Sequence, residues 1–364
     1  MSKITLERYF YPVGQGLCCH ERFYGFNLVY DCGSGIKEQP DKDICGSVKS
    51  FFSGNEIDVL ILSHFHYDHT NMLDALIDAK IKIKKIIIPY IDKAEYNILC
   101  YIDGNCNIKL LDSALEGRRK YQDIDVIHLK EDFQSLEDLN LLPDVLKSFW
   151  KYEIYNYQYI TKSKEFKDKV IKEKLDYGQL SDPVYVSTNN KKLKDIYESI
   201  GGLNEQSSVL FSYPKEANRY CTYTSYKICR PKKNGLRDCF FVKNTDERCR
   251  FSNNCDAKIA PGCIFFGDYP VKYSRNFKQI EKKLDKLLCD RKLNRYLIGT
   301  IQFPHHGSST GLNEKIIRSE MEYIFSFGIG NIYRHPNKNA VQSVIDKGNC
   351  PVFVTDYCGY KQMF

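Results

Sequence analysis

Short apolar runs alternate with segments of helical period along much of the chain, and several of the runs end at histidine, aspartate or glycine. The run from Val59 to Leu62 is typical, since apolar positions at helical spacing follow it from Met72 to Ile77. Short runs bounded by turn residues indicate buried strands. Strands are predicted at 3–12, 25–30, 57–62, 84–88, 123–129, 262–266, 296–303, 323–327 and 352–355, and helices at 42–52, 92–101, 131–175, 275–289 and from about 339. This alternation predicts an α/β protein.

The segment from Ser63 to Thr70 carries four candidate metal ligands directly after an apolar strand. Side chains two apart in an extended segment share a face, so His64 and His66 can reach one metal together. Asp68 and His69 lie beyond the strand end, where they can reach a second metal beside the first. Histidine nitrogen and carboxylate oxygen suit zinc, with manganese and iron as alternatives.

Six of the eight histidines fall inside three widely separated motifs, each of which follows an apolar run. The second motif is Pro304-His305-His306-Gly307-Ser308, and the third is His335-Pro336. Another apolar run ends at Gly267-Asp268. Because strand ends at one edge of an α/β sheet meet at one cleft, these side chains are expected to converge there.

The HxHxDH pattern is that of the metallo-β-lactamase superfamily, and other segments extend the resemblance. Val13-Gly14-Gln15-Gly16, Asp31-Cys32-Gly33, Asn204–Phe211, Gly267-Asp268 and the two later histidine motifs are similar to the metallo-β-lactamase domain of bacterial competence DNA-uptake proteins. The chain departs from most members at Asn71-Met72, where they have a glycine pair. The resemblance implies a four-layer αββα sandwich with insertions, without the membrane domain of competence channels.

The resemblance and the spacing together assign the ligands of two divalent metals. The first metal would take His64, His66 and a histidine of the second motif, with His305 preferred over His306. The second metal would take Asp68, His69 and His335, with Asp268 bridging both. His306 would then be left to donate a proton or to bind a phosphate oxygen. Asp31 is either a residue that orients a ligand or a simple turn residue.

These assignments imply a metal-dependent hydrolase with Asp68, Asp268 and His306 in catalytic roles. Two cations about 3.5–4 Å apart would hold a bridging water and lower its pKa, giving a hydroxide nucleophile. Ser308, Ser309 and Thr310 are expected at a helix start, where hydroxyls and backbone N–H groups suit a phosphate. The leading hypothesis is a phosphodiesterase or nuclease acting on nucleic acid or a nucleotide.

Two other hypotheses remain open at this point. The same site would suit a carboxylic ester, a lactone or a phosphorylcholine ester, since a fold hosts many activities. The domain would otherwise be a non-catalytic subunit that binds protein partners through its insertions, in a defence or DNA-processing complex. A complete ligand set argues against the second of these.

Composition and charge add limited information about organisation. The 364 residues are 43% hydrophobic and 27% charged, which suits one globular domain over residues 1–364 with a helical insertion at about 102–200. A second, basic and cysteine-containing insertion at about 214–259 would be a solvated hairpin, a track for nucleic acid or, through its cysteines, a zinc site. The net charge of +7 fits an anionic substrate.

The expected location is the cytoplasm. The N-terminus lacks a signal-peptide core, and no apolar run has the length of a membrane span, so no membrane association is expected. The 15 cysteines include no CxxC pair, which is typical of small buried residues in a reducing compartment.

Overall fold

Two mixed β-sheets form the centre of the protein. The structure is a computed structural model, and it describes residues 5–23, 25–35, 51–52, 56–90, 92–103, 110, 120–121, 123–130, 132–156, 163–200, 202–216, 224–229, 259–272, 277–288 and 297–364. The described strands are β1 (Leu6–Phe10), β2 (Cys18–Phe23), β3 (Phe26–Cys32), β4 (Ile57–Ile61), β5 (Ile83–Ile88), β6 (Lys120–Tyr121), β7 (Ile124–His128), β8 (Asp132–Ser135), β9 (Trp150–Asn156), β10 (Val209–Pro214), β11 (Thr224–Cys229), β12 (Gly262–Phe265), β13 (Ile298–Gln302), β14 (Glu322–Ser326), β15 (Cys350–Val354) and β16 (Cys358–Met363).

The first sheet has the order β11-β16-β1-β2-β3-β4-β5-β7-β6, and the second has the order β15-β14-β13-β12-β10-β9-β8. Each sheet contains a parallel block, β3-β4-β5-β7 in the first and β12-β13-β14-β15 in the second. Antiparallel strands flank both blocks. Parallel blocks need covering on both faces, and helices provide the outer cover.

The α-helices whose bounds lie within the described residues are short and lie mostly between strands. They are α1 (Tyr67–Thr70), α2 (Leu73–Asp78), α3 (Lys93–Ile98), α4 (Asp144–Phe149), α5 (Lys164–Lys172), α6 (Pro183–Thr188), α7 (Asn190–Glu198), α8 (Phe277–Leu288) and α9 (Lys338–Asp346). A π-helix extends α3 over Leu99–Asp103, and 3₁₀ turns lie at Tyr177–Ser181, Gly202–Gln206, His305–Gly307 and Glu314–Ile316. Within the described ranges, no helix combines the length and apolar character needed to cross a membrane.

Alternate side chains of each strand face opposite layers, and this alternation builds the architecture. Val59 of β4 belongs to the core between the two sheets, whereas Leu60 belongs to the core shared with α2, α3, α5 and α7. Phe265 of β12 likewise lies between the sheets, and Ile264 packs in the core shared with α8 and α9. The predicted four-layer αββα sandwich is therefore confirmed.

The carboxyl ends of β3, β4, β12, β13 and β14 meet at one edge of the sandwich. Gly33, just after β3, passes so close to α1 that a Cβ there would lie 1.8 Å from the carbonyl oxygen of Asp68. Gly267 has a φ of +54°, and a Cβ there would lie 2.8 Å from Ser63 Oγ. Gly33 lets the end of β3 approach α1, and Gly267 lets the end of β12 approach the end of β4 in the other sheet.

The structure corrects several predicted elements. The segment 131–175, predicted to be helical, contains β8 and β9, which are integral to the second sheet, as well as α4 and α5. Strand β2 was not predicted from the sequence, and β16 follows the predicted last strand at 352–355. The predicted strands carrying the histidine and aspartate motifs are confirmed, with bounds shifted by one or two residues.

Some predictions lie outside the described residues. The helix predicted at 42–52 does so except for residues 51–52, which are helical. In the basic insertion at 214–259, only the flanking residues and β11 are described, and β11 pairs with β16 at the rim of the first sheet. The division into one domain with two insertions stays a prediction.

Candidate metal centre

The Asp268 carboxylate lies at the centre of a cluster of imidazoles. Its Oδ1 is 3.2 Å from Nε2 of His69 and 3.4 Å from Nε2 of His306. Its Oδ2 is 3.9 Å from Nε2 of His64 and 3.7 Å from Nε2 of His305. Each oxygen therefore faces a different pair of histidines. Two ligands about 2.1 Å from one tetrahedral cation lie about 3.4 Å apart, so these separations are those of shared coordination.

Two groups of side chains have donor atoms close enough to hold a cation. In each group one ligand atom per residue lies within 4.8 Å of the others. The first group is His64, His66 and Asp268, and the second is Asp68, His69 and His306. Nε2 of His306 lies 3.6 Å from Oδ2 of Asp68. The sequence placed His335 in the second group, and the structure brings His306 there instead.

Asp31 and Ser63 orient two of the imidazoles from behind. Oδ2 of Asp31 accepts a hydrogen bond of 2.8 Å from Nδ1 of His69. The backbone N–H and the hydroxyl of Ser63 also donate to Asp31, at 2.6 and 2.8 Å. Since the single hydroxyl hydrogen of Ser63 goes to Asp31, its Oγ accepts from Nδ1 of His64 at 2.9 Å. In the neutral rings both Nε2 atoms then carry lone pairs that point into the cluster, which is the state that a metal requires.

The histidines of the second motif are held in the same manner. Nδ1 of His306 donates to the carbonyl oxygen of Ser326 at 2.8 Å, and Nδ1 of His305 lies 3.0 Å from the hydroxyl of Thr310. His305 and His306 have φ values of 48° and 52°. Left-handed backbone at bulky residues costs about 1–3 kcal/mol each and is found at functional sites.

His335 differs from His64, His69 and His306 in its protonation pattern. The Gln15 amide donates from Nε2 to Nδ1 of His335 at 3.2 Å, and its Oε1 accepts from the Gly328 N–H at 3.4 Å. An Nδ1 that accepts leaves the proton of a neutral ring on Nε2. His335 therefore presents a donor where His64, His69 and His306 present lone pairs. Its ring centroid lies 5.6 Å from that of His305 and 6.3 Å from that of His306.

Carboxylates set the charge of the second group. Burial would lower the pKa of His69, but Asp268 and Asp31 outweigh it and hold the pKa well above its usual range. The pKa of His306 is raised in the same way, against burial, by Asp268 and Asp68. The field that draws protons onto these buried imidazoles would equally hold a cation.

In the first group, burial and neighbouring imidazoles determine the protonation states. Burial, followed by the positive fields of His69 and His66, holds the pKa of His64 well below its usual range. Burial would raise the pKa of Asp268, but His305, His306 and His69 outweigh it and hold the pKa well below its usual range. A neutral imidazole beside an ionised carboxylate is the form in which both bind metals.

Unpaired buried atoms support a metal at this position. Among the described residues, His69 Nε2, His306 Nε2 and Asp268 Oδ1 are buried without a hydrogen-bond partner. Buried polar atoms are almost always paired, and leaving one unpaired costs about 1–3 kcal/mol. These three atoms face one another, and a divalent cation would satisfy all of them. The residues present therefore fit the metals that the sequence implied.

The predicted phosphate cradle takes a different form. The expected helix start after His306 is wrong, because Ser308 to Thr310 lie in a turn that leads to the 3₁₀ turn at Glu314–Ile316. The hydroxyls of Ser308 and Thr310 lie 2.6 Å apart, and that of Thr310 also contacts His305. Ser309 is exposed. Phosphate binding by these three residues stays a prediction.

Several residues of the centre had no assigned role in the sequence. Ser63 and Gln15 lie inside recognisable motifs, but only their spatial neighbours reveal what they orient. The backbone carbonyl of Ser326 left no sequence signal at all. Ser208 donates from its backbone N–H to the carbonyl oxygen of Ser63 at 2.9 Å. The neighbouring Ser207 is fully buried, and its Oγ has no hydrogen-bond partner among the described residues.

Comparison with known proteins agrees with the fold and the site. Residues 25–103 match the family model described as the metallo-beta-lactamase superfamily, a stretch that runs from β3 through the HxHxDH motif to the π-helix. No curated protein is similar enough to the chain to count as a match. The fold is that of an α/β metallo-β-lactamase sandwich, and the match supports the superfamily. The competence-type branch finds no support in the match and stays a prediction.

The superfamily match supports a metal-dependent hydrolase in general terms. The two ligand groups are candidate sites for divalent metals, for which zinc is the usual choice in this superfamily. The kind of bond hydrolysed, the metal and the number of metals belong to the proposal that follows.

Proposed function

We propose that the protein is a two-metal phosphodiesterase or nuclease whose metals share Asp268. The observation that carries this proposal is the arrangement of the Asp268 carboxylate. One oxygen faces His69 and His306, and the other faces His64 and His305. A carboxylate with one oxygen in each of two ligand sets is suited to bridge two cations.

The ligands would fall into two sets, one for each cation. His64, His66 and His305 would hold one cation, and Asp68, His69 and His306 would hold the other. When bound, such a pair of cations supplies Lewis acidity and a water of lowered pKa. Asp31, Ser63 and Thr310 keep the ligand rings aimed at the cluster, so little reorganisation is needed when substrate arrives.

His335 would take the role that the sequence gave to His306. Its Nε2 carries the proton of the neutral ring, and the ring lies beside both His305 and His306. A neutral N–H donor near two cations would bind a non-bridging oxygen or the leaving oxygen of a phosphoester. One such donor contributes about 100-fold or more to the rate of a reaction that develops negative charge on oxygen.

A phosphodiester is favoured over other esters by the charge around the site. Two cations and the N–H of His335 together offer three electrophilic contacts. A phosphodiester has three oxygens besides the one in the scissile bond, so it can use all three contacts. Arg334, next to His335, is exposed and adds a positive charge at the rim. The net charge of +7 acts in the same direction.

The test begins with the metal content of purified protein. About two divalent metals per chain are expected. The loaded protein is then offered single-stranded DNA, duplex DNA, RNA and a bis-aryl phosphodiester, with zinc or manganese. Cleavage of at least one phosphodiester is expected, and Asp268→Ala should abolish both cleavage and stoichiometric metal binding. Asp144→Ala, at an exposed helix position, is the matched control.

The outcomes separate the hypotheses. Turnover of carboxylic esters or lactones alone would replace the proposed substrate with another ester. Bound metals without any turnover would favour a non-catalytic subunit that binds partners. A protein that binds no divalent metal would overturn the proposal altogether.

A further inference from the structure

An exposed apolar loop lies directly beside the candidate metal centre. Within residues 329–334, Ile329 is 62% exposed, Ile332 is 72% exposed and Tyr333 is 65% exposed. Arg334 is also exposed. Large apolar side chains clustered in this way on a protein surface usually mark a binding site. We refer to residues 329–334 as the rim loop.

The rim loop is held in a fixed conformation. The side-chain amide of Asn331 donates to the carbonyl oxygens of Gly328 and His335, both at 2.7 Å. Its Oδ1 accepts from the backbone N–H of His335 at 2.9 Å. Arg334 has a left-handed φ of 59°, and its N–H donates to the Asn331 carbonyl at 3.3 Å. An exposed apolar loop that is braced internally is preorganised for a ligand.

One aromatic ring connects the rim loop to the metal centre. The Tyr333 ring stacks on the His335 ring, with centroids 5.7 Å apart and planes 29° apart. The His335 ring in turn lies 5.6 Å from His305, which faces Asp268. Tyr333 is thus one ring away from the ligand cluster, and the exposure of its side chain leaves ring surface open to solvent.

We propose that Tyr333 is a stacking platform for a nucleobase of a single-stranded nucleic acid, with Arg334 contacting its backbone phosphate. This rests on the proposed function, because the strand is placed for cleavage at the centre. Every base has a π-face, so stacking on tyrosine tolerates any sequence. A planar apolar surface next to a guanidinium suits a base joined to a phosphate better than an acyl chain, which needs no cation.

The platform is tested by binding and by kinetics. A labelled oligo(dT) strand and an abasic strand of equal length are titrated into metal-free protein, followed by anisotropy, and then offered to metal-loaded protein. Tyr333→Ala should weaken binding of oligo(dT) by about 5- to 150-fold, and Tyr333→Phe should bind like the native protein. The loss should fall on KM, with kcat little changed, since the stack forms before the reaction begins.

Two controls separate stacking from other effects. Binding of the abasic strand should be indifferent to Tyr333→Ala. Tyr101→Ala removes a tyrosine that is 45% exposed in the π-helix and should leave oligo(dT) binding unchanged. Native metal content in every variant shows that the centre itself is intact.

The possible outcomes distinguish failure of the stacking platform from failure of the proposed hydrolase function. Unchanged oligo(dT) binding by Tyr333→Ala would overturn the inference even if the protein cleaves DNA. An equal loss for the abasic strand would also overturn it, because the contact would then not be to a base. Binding that depends on Tyr333 without any cleavage would support the inference and reject hydrolysis. A native protein that neither binds nor cleaves nucleic acid would overturn both.

Discussion

At the scale of single residues, hydrogen-bond donors determine what each histidine can do. A carbonyl oxygen accepts from Nδ1 of His306, whereas an amide N–H donates to Nδ1 of His335. The first contact frees a lone pair on Nε2, and the second places a proton there. Two histidines near the same cluster therefore have opposite chemical characters, although both belong to histidine-containing motifs.

This contrast predicts different effects for two alanine variants. His306→Ala should lose one metal per chain, because the second cation then keeps only Asp68, His69 and the shared Asp268 as ligands. His335→Ala should retain both metals and lose about 100-fold in kcat on the best phosphodiester. Metal content by mass spectrometry and steady-state kinetics on the same preparations make the comparison.

The reverse result would support the sequence-based assignment, in which His335 is a ligand of the second metal and His306 is free. If His335→Ala loses a metal and His306→Ala keeps the full complement, then His335 is the ligand. His335→Gln serves as a rescue variant, since its amide also offers an N–H donor. Partial recovery of kcat in His335→Gln would indicate that the donor, rather than the ring, is what the reaction requires.

The sequence could predict which residues meet, but not which nitrogen each one presents. The candidate ligands follow apolar strands, and parallel strands bring their carboxyl ends to one edge, so convergence is a consequence of local pattern. The tautomer of His335 depends on Gln15, which is 320 positions away in sequence, and on the Gly328 N–H that fixes the Gln15 amide. No local pattern encodes a contact of that kind.

At the scale of elements, the centre depends on how closely β3 approaches α1. The Asp68 carbonyl oxygen accepts a hydrogen bond from the backbone N–H of Leu17 at 3.3 Å. Gly33 lies directly against the same carbonyl group and leaves no room for a side chain. Asn71 closes the same junction, since its side chain exchanges hydrogen bonds of 2.8 and 2.7 Å with the backbone of Ser34. Asn71 and the fully buried Met72 thus pack this helix start without the glycine pair that most superfamily members have.

Gly33→Ala should therefore disturb both folding and metal binding. A Cβ at residue 33 would lie 1.8 Å from the Asp68 carbonyl oxygen and 2.3 Å from the His69 nitrogen, so α1 must move away. Forced overpacking of this kind costs about 3 kcal/mol at the upper end of its usual range. Denaturant unfolding should show that loss, and metal analysis should show depletion of the second group.

Gly178→Ala is the control at an exposed glycine, where the new Cβ would meet only the Asp176 carboxylate at 3.2 Å. It should change the free energy of unfolding by no more than about 0.5 kcal/mol. Equal stability of the Gly33→Ala and Gly178→Ala variants would show that the β3–α1 contact is not needed.

Elements that the sequence missed are strands whose polar residues have distant partners. Glu153 of β9 lies between Lys151 and Lys283, and the second of these comes from α8. Trp150, Tyr152 and Ile154 alternate with Lys151 and Glu153 along β9, but the many charged and aromatic residues of the surrounding segment led to the prediction of a helix. Strand β16 likewise contains Gln362, whose side chain is fully buried by partners from other strands. A pattern of apolar residues does not reveal a buried polar side chain such as that of Gln362.

At the scale of the whole molecule, a polar network joins the two sheets at their interface. Arg8 of β1 donates to Glu21 of β2 and to Gln362 of β16 within the first sheet. It also donates to the carbonyl oxygen of Pro261, just before β12 of the second sheet, at 2.8 Å. Glu21 in turn accepts from the hydroxyl of Ser212 in β10. Both charged side chains are buried, so their pairing affects the stability of the whole sandwich.

Removing one partner of this ion pair should destabilise the protein far more than removing an exposed pair. Arg8→Leu leaves the Glu21 carboxylate buried without its cation, which costs about 3–5 kcal/mol. The double variant Arg8→Leu/Glu21→Leu should lose no more than Arg8→Leu alone, because no unpaired charge is left. Lys147→Ala, which removes the exposed pair with Asp144, should cost less than about 1 kcal/mol. Urea unfolding of the native protein and the three variants measures these differences, and a double variant that is clearly less stable than Arg8→Leu would contradict the prediction.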